Sequence, residues 1–159
     1  MDKLWAPWRI KYLEVKKSKK CIFCLGKNDK CRDFVVFRTA ASICMLNIFP
    51  YNNGHVMVSP KRHKSDLTQL SNKEILDLFS AVNRVKKLLD KVLKPEGYNI
   101  GINIGAASGA GVKGHLHVHI VPRWWGDTNF MPVLNDTKVI SQSLEELCSR
   151  LKDADAKAD

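Results

Sequence analysis

Gly114-His115-Leu116-His117-Val118-His119-Ile120-Val121 is the stretch that decides the fold. Histidines occupy every second position, with apolar residues between and after them. Such alternation marks a half-buried β-strand, because side chains at i, i+2 and i+4 share one face. His115, His117 and His119 are therefore expected to line one side, roughly 6.6 Å apart by strand rise. Leu116, Val118 and Ile120 should point the other way, into a core. Pro122 should end the run, since it has no amide to give a ladder. Immediately upstream, residues 105–114 read Gly-Ala-Ala-Ser-Gly-Ala-Gly-Val-Lys-Gly. This is a glycine-rich turn whose backbone N–H groups can approach an anion.

A single histidine on a strand is usually a hydrogen-bonded core residue, and a single glycine-rich loop is a weak signal. Three imidazoles on one face differ, because burying one such group unpaired costs roughly a few kcal/mol. A shared metal ion is the sharper rival, since alternate histidines on a strand can ligate one. A catalytic zinc would still need a base and an open position. No carboxylate lies in the loop or the triad, and Asp127 and Asp136 come only after it. Nucleophilic catalysis suits the pattern: a neutral imidazole is nucleophilic near pH 7, provided its other ring nitrogen finds an acceptor that fixes the tautomer.

The pattern His-φ-His-φ-His-φ-φ, with φ apolar, resembles the histidine triad (HIT) superfamily of nucleotidyl hydrolases and transferases. The resemblance runs from Cys21 to about Trp124. It implies an α+β fold, a mainly antiparallel five-stranded sheet with one long helix and a short C-terminal helix. It also implies that His117 attacks an α-phosphorus to give a nucleotidyl-histidine, with His115, His119 and His55 completing the catalytic set. Backbone around the glycine loop would fix the His117 tautomer. By the same resemblance Asn47 contacts the ribose, and Ile22, Phe23 and Ile48 line the base pocket. Asn103 would hold a phosphate oxygen, with Ser108, Gly111, Val112 and Lys113 of the glycine loop nearby. One position departs from the pattern: many hydrolase and phosphoramidase members carry a glutamine about four residues before the first triad histidine, where this chain has Gly111. Contacts to the leaving phosphate must then differ, through Lys113, Ser108 or loop amides.

Composition bounds the rest. With 159 residues the chain makes one domain, read as 1–152, followed by a disordered polar tail over 153–159. Net charge is +10, an excess that attracts anions, whether nucleotides, nucleic acid or acidic membranes. Five cysteines without a signal peptide argue for a reducing cytoplasm rather than a disulfide framework. No run approaches the ~20 apolar residues of a membrane span, so a soluble, cytoplasmic protein is expected, with no membrane partner. Lys16, Lys17, Lys19 and Lys20 form a basic run with no interleaved aromatic, which fits a solvated loop better than a nucleic-acid contact.

Cys21-Ile22-Phe23-Cys24 reads either as half a zinc site or as a redox pair. His63, at the end of Ser59-Pro60-Lys61-Arg62-His63, is the candidate to extend it. The HIT resemblance completes a structural zinc set with Cys21, Cys24, His63 and His115, a normal closed Cys₂His₂ combination. Cys31, Cys44 and Cys148 belong to no motif.

Residues 33–38, 42–46 and 55–59 read as strands of a meander, and 98–104 as the strand before the glycine loop. Ser71 and Glu74 form a capping box ahead of Ile75, Leu78, Phe79, Val82, Val85, Leu89 and Val92, a helix running to about Leu93. Residues 139–151 read as a second helix. The apolar terminal segments, Leu4–Leu13 and the loop 123–132, together with the tryptophan pairs and the family's habit, imply a homodimer. These segments also resemble the prokaryotic diadenosine tetraphosphate phosphorylase-like branch, which implies a dinucleoside polyphosphate substrate with phosphorolysis favoured, the alternatives within the family being a dinucleoside polyphosphate hydrolase and an adenosine phosphoramidase. Two rival functions remain open: a nucleotide-binding module with negligible turnover, and removal of adenylate from nucleic-acid ends.

Overall fold

The structure, a computed structural model, describes residues 21–24, 33–109, 111–112, 114–127 and 140–157. The expectations placed on residues 4–20, Cys31, Lys113 and 128–139 lie outside the described residues. Five strands form one antiparallel sheet: β1 (Val35–Arg38), β2 (Ser42–Leu46), β3 (Val56–Pro60), β4 (Gly97–Ile102) and β5 (Val118–Arg123). Their order across the sheet is β1-β2-β3-β5-β4, so β5 sits between the meander and β4. Two helices, α1 (Asn72–Leu93) and α2 (Leu144–Ala156), pack on one face. The α+β architecture is the one the sequence predicts.

The alternation in the opening stretch sets which face is which. Met57 pairs with His119, and Val56 and Val58 pair with Ile120 and Val118. Leu46, Val56, Val58, Leu116, Val118 and Ile120 join the helices in the main core. Met45 and Met57, one residue out of step, face the other way and pack with Phe23. A one-residue slip would exchange these sets, so burial of the even-numbered positions on β5 fixes the register.

The strand itself is shorter at its start and longer at its end than the sequence implies. It begins at Val118, leaving His115 and His117 outside any ladder. By the β3 register, these two would lie opposite Lys61 and Ser59, where β3 has run out or is ending in Pro60. Individual bonds hold them instead: Leu116 N donates to Lys64 O at 2.6 Å, and Ser59 Oγ donates to Leu116 O at 2.9 Å. Pro122 does not end the strand but pairs with Tyr98. Its carbonyl accepts from Asn52 Nδ2 at 3.0 Å, so its nitrogen faces the side where β3 has already ended and no ladder bond is lost.

Helix α1 starts at the expected capping box. Ser71 N donates to Glu74 Oε2 at 2.9 Å, and Glu74 N returns a 3.4 Å bond to Ser71 Oγ. It stops at Lys94, which adopts the left-handed conformation (φ 49°) just before Pro95. The buried face is Leu78, Ala81, Val82, Val85, Leu88 and Leu89. Phe79, expected on that face, is 45% exposed. At about 100° per residue it lies more than a quarter-turn past Leu78, outside the buried face.

Helix α2 begins later and ends later than 139–151. Ser143 caps it, accepting from Glu146 N at 3.2 Å. It continues to Ala156, into the stretch read as a tail. Leu147, Cys148, Leu151 and Ala154 keep one apolar face against the core, and Asp155 pairs with Arg84 at 2.7 Å. The small size of Ala154 hid this extension among polar neighbours.

The difference between Leu78 and Phe79 is measurable. Leu78→Ala is expected to cost about 2–5 kcal/mol in chemical denaturation. Phe79→Ala should stay within about 1 kcal/mol.

Candidate active site

The face of the sheet away from the helices carries all five histidines. His115 and His117 are buried, and their rings pack on Phe23 with centroids 5.2 and 5.0 Å away. His119 follows, 4.7 Å from His117 and edge-on to it. His55, on the turn into β3, lies 5.1 Å from His119. The three triad rings thus share one side, as their spacing requires.

Hydrogen bonds determine which nitrogen of each ring carries the proton. His117 Nδ1 is 2.8 Å from the carbonyl of His115, which can only accept. Nδ1 is therefore the protonated atom, and Nε2 keeps a lone pair. The acceptor anticipated from the glycine loop is thus the first triad histidine's own backbone. Burial holds the His117 imidazole below the usual histidine range, so the ring is neutral at pH 7.

His55 and His119 form a directed pair. His55 Nδ1 accepts from Tyr51 N at 3.1 Å and lies 3.3 Å from the Asn47 side-chain amide. Asn47 Oδ1 is itself taken by Phe49 N at 2.9 Å, which turns the amide nitrogen toward His55. With Nδ1 accepting, His55 Nε2 carries the proton and donates to His119 Nδ1 at 2.9 Å. His119 must then hold its own proton on Nε2. Burial, then the neighbouring His117, pushes His119 down to about 4. A lone-pair nitrogen and an N–H donor therefore stand on adjacent rings, an arrangement able to attack a phosphorus and to hydrogen-bond an oxygen on which negative charge develops.

The other described candidates from the sequence are distributed as follows. Phe23 is buried with Met45 and Met57, and Ile22 and Val112 pack on them. Val112 thus joins the apolar patch rather than the phosphate-facing turn. Ile48 is half-buried beside Asn47. Asn103 follows Ile102, the partner of Val118, and so stands at the level of His117. Ser108 and Gly111 are exposed, and the Ser108 hydroxyl donates to Gly105 O at 2.8 Å, bracing the turn. Three residues escaped the sequence reading: Ser59 and Asn52, which tie down the two ends of the triad segment, and Tyr51. Their signal was faint, a serine in a strand and two members of a turn cluster.

At the opposite edge, Cys21, Cys24, His63 and His115 bring four potential ligand atoms within 4.8 Å of one another. His115 Nδ1 lies 3.2 Å from Cys21 Sγ and 3.6 Å from Cys24 Sγ, and His63 Nδ1 lies 3.3 Å from Cys24 Sγ. A tetrahedral ion with bonds of ~2.0–2.3 Å places its ligands roughly 3.3–3.8 Å apart, so the donor set and spacing fit a metal. The other nitrogen of His115, Nε2, donates to Pro60 O at 2.8 Å, the outer bond that typically orients a ligating imidazole. Gly114 passes so close that a Cβ there would sit 3.3 Å from His63 Nε2.

Comparison with known proteins agrees with this geometry. The model of the HIT domain matches residues 28–124. The chain belongs to the HIT domain family. It is 34% identical over 157 residues to the AP-4-A phosphorylase of Mycobacterium tuberculosis, covering 92% of this chain and 80% of that one. Over 89 residues it is 40% identical to the asymmetrical bis(5'-nucleosyl)-tetraphosphatase of Schizosaccharomyces pombe, covering 56% of this chain and 48% of the other. A Zn-bound histidine triad family protein from Mycobacterium smegmatis superimposes with a TM-score of 0.65 at 28% identity, covering 79% of this chain and 86% of that one. Related HIT proteins are thus nucleotide hydrolases and transferases. Among the described residues of this HIT protein, no helix is long and apolar enough to cross a membrane.

The low proton affinity of His119 has a stability consequence. An unfolded histidine titrates near 6.5, so between pH 6.5 and about 4 the unfolded chain binds the proton more readily. The contribution is complete above pH 6.5 and disappears as pH falls toward 4. The melting temperature should fall across that window, and His119→Gln should flatten the fall.

Proposed function

We propose that this HIT protein transfers a nucleotidyl group from a dinucleoside polyphosphate, such as diadenosine tetraphosphate, through a covalent intermediate on His117, with orthophosphate as the favoured acceptor. The observation that carries this reading is the 2.8 Å bond from His117 Nδ1 to His115 O, which leaves Nε2 as the nucleophile. Nε2 attacks the α-phosphorus as the bond to the leaving polyphosphate oxygen breaks. That oxygen departs as the polyphosphate anion, its developing charge met by a hydrogen bond from His119 Nε2–H. An incoming phosphate oxygen then displaces Nε2 from phosphorus, giving a nucleoside diphosphate and restoring the ring.

The HIT resemblance supplies roles for the surrounding residues. Phe23, Ile22, Ile48 and Val112 form the apolar side where a base would rest, and Asn47 borders the ribose. Asn103, Ser108, Gly111 and Lys113 would serve the phosphates, as N–H donors and cations stabilise charge that develops on an oxyanion. Supporting phosphate as acceptor is the similarity to the mycobacterial AP-4-A phosphorylase along most of the chain. Water as acceptor is the second reading, favoured by the similarity to the yeast tetraphosphatase. Incubation with diadenosine tetraphosphate should yield ADP plus ATP only when phosphate is present. AMP plus ATP regardless of phosphate would make the protein a hydrolase. His117→Ala is expected to lower turnover by at least about a thousandfold while nucleotide binding, read by calorimetry, persists.

Cys21, Cys24, His63 and His115 would hold a structural zinc, whose bonds fasten the segment bearing Phe23 to the triad. Elemental analysis of protein purified without chelator should find about one zinc per chain, and Cys24→Ser should lower that content. Among the described residues β4 forms one edge of the sheet, with Ile100 on it and Ile104 just beyond it exposed, which supports a homodimer.

A further inference from the structure

The donor end of the site leans on a side chain outside both the triad and the metal cluster. Tyr51 lies in the turn between β2 and β3, and two parts of it meet the His55–His119 pair. Its main-chain N–H donates to His55 Nδ1 at 3.1 Å. Its ring packs on the His55 ring with centroids 4.7 Å apart and planes 32° from parallel, and reaches the His119 ring at 6.0 Å. The residue is 49% exposed, so one side of the ring covers imidazoles while the other meets solvent.

The neighbours of His119 show why such a cover matters. Its own strand brings His117, and the turn into β3 brings His55. Opposite it in the ladders stand Met57 of β3 and Gly101 of β4. A Cβ at Gly101 would meet nothing within 4 Å, so that flank is open. The ionisable groups facing His119 among the described residues are thus His117, His55 and the Tyr51 phenol. No carboxylate or cationic side chain appears among its ring or hydrogen-bond partners there.

The 2.9 Å bond from His55 Nε2–H exists only while His119 Nδ1 is unprotonated. A proton taken from water at Nδ1 would set two N–H groups face to face and release the ring. We propose that Tyr51 is a positioning residue for His119: its ring keeps water from the His55–His119 bond and so holds the third imidazole as a neutral donor at Nε2. The inference deepens, and rests on, the reading of His119 as the donor to the leaving oxygen. Burial is the first cause of the low proton affinity of His119, and the Tyr51 ring is the part of that cover a substitution can remove without touching the histidines.

The test is a histidine side-chain NMR titration of the full chain, with the His119 signal assigned by its loss in His119→Gln. Tyr51→Phe should titrate as the unsubstituted protein does. In Tyr51→Ala the His119 midpoint should rise from about 4 to about 5 or above, as burial is relieved. The acid limb of kcat/KM for diadenosine tetraphosphate should move up with it. An unmoved His119 midpoint in folded Tyr51→Ala overturns the proposal. Should that variant not fold, Tyr51→Ser, which removes the ring and keeps a small polar side chain in the turn, decides by the same readout. If the unsubstituted protein turns over no dinucleoside polyphosphate, the functional reading fails, whereas the titration still decides the role of Tyr51 on its own.

Discussion

Everything at this site depends on the two-residue period of one segment. From His115 to Ile120, odd positions face the cleft and even positions enter the core beneath α1 and α2. Leu116, Val118 and Ile120 are almost completely buried, so hydrophobic burial holds the segment in a single register. The histidines contribute little to that choice. They are carried into line by the residues between them, and their chemistry relies on a core they do not belong to.

Given that register, the roles of the imidazoles follow from what their nitrogens meet. A backbone carbonyl can only accept, and a backbone amide can only donate. The His115 carbonyl therefore makes His117 a lone-pair donor at Nε2, and the Tyr51 amide, acting through His55, makes His119 a hydrogen-bond donor at Nε2. Two side chains of one type in one segment acquire opposite roles, with no carboxylate among their ring and hydrogen-bond partners in the described residues. His115 works in two directions, with its ring turned to the thiols and its carbonyl to His117.

The parts of this arrangement that obey a period or a motif could be read from the sequence. Alternation gave the shared face of His115, His117 and His119, the capping box gave the start of α1 at Ser71, and family resemblance joined His63 and His115 to the Cys21–Cys24 pair. What escaped depends on where neighbouring chain happens to end. The start of β5 at Val118 coincides with the end of its neighbour β4 at Ile102, and the placing of Pro122 inside the strand follows from the missing partner on one side. Phe79 faces outward because it lies about 100° or more around the helix from the centre of the buried face, at the edge of the apolar pattern and not within it. Ser59, Asn52 and Tyr51 act through single hydrogen bonds or one ring contact, which leave no periodic trace.

The thiol–imidazole cluster joins points very distant along the chain: Cys21 meets His115 across 94 residues, and Cys24 meets His63 across 39. Loop-closure entropy grows only logarithmically with length, so meeting across 94 residues costs only about 0.6 kcal/mol more than meeting across half that distance. The segment bearing Phe23 therefore reaches the triad from far along the chain at little more entropic cost than a nearer segment would incur.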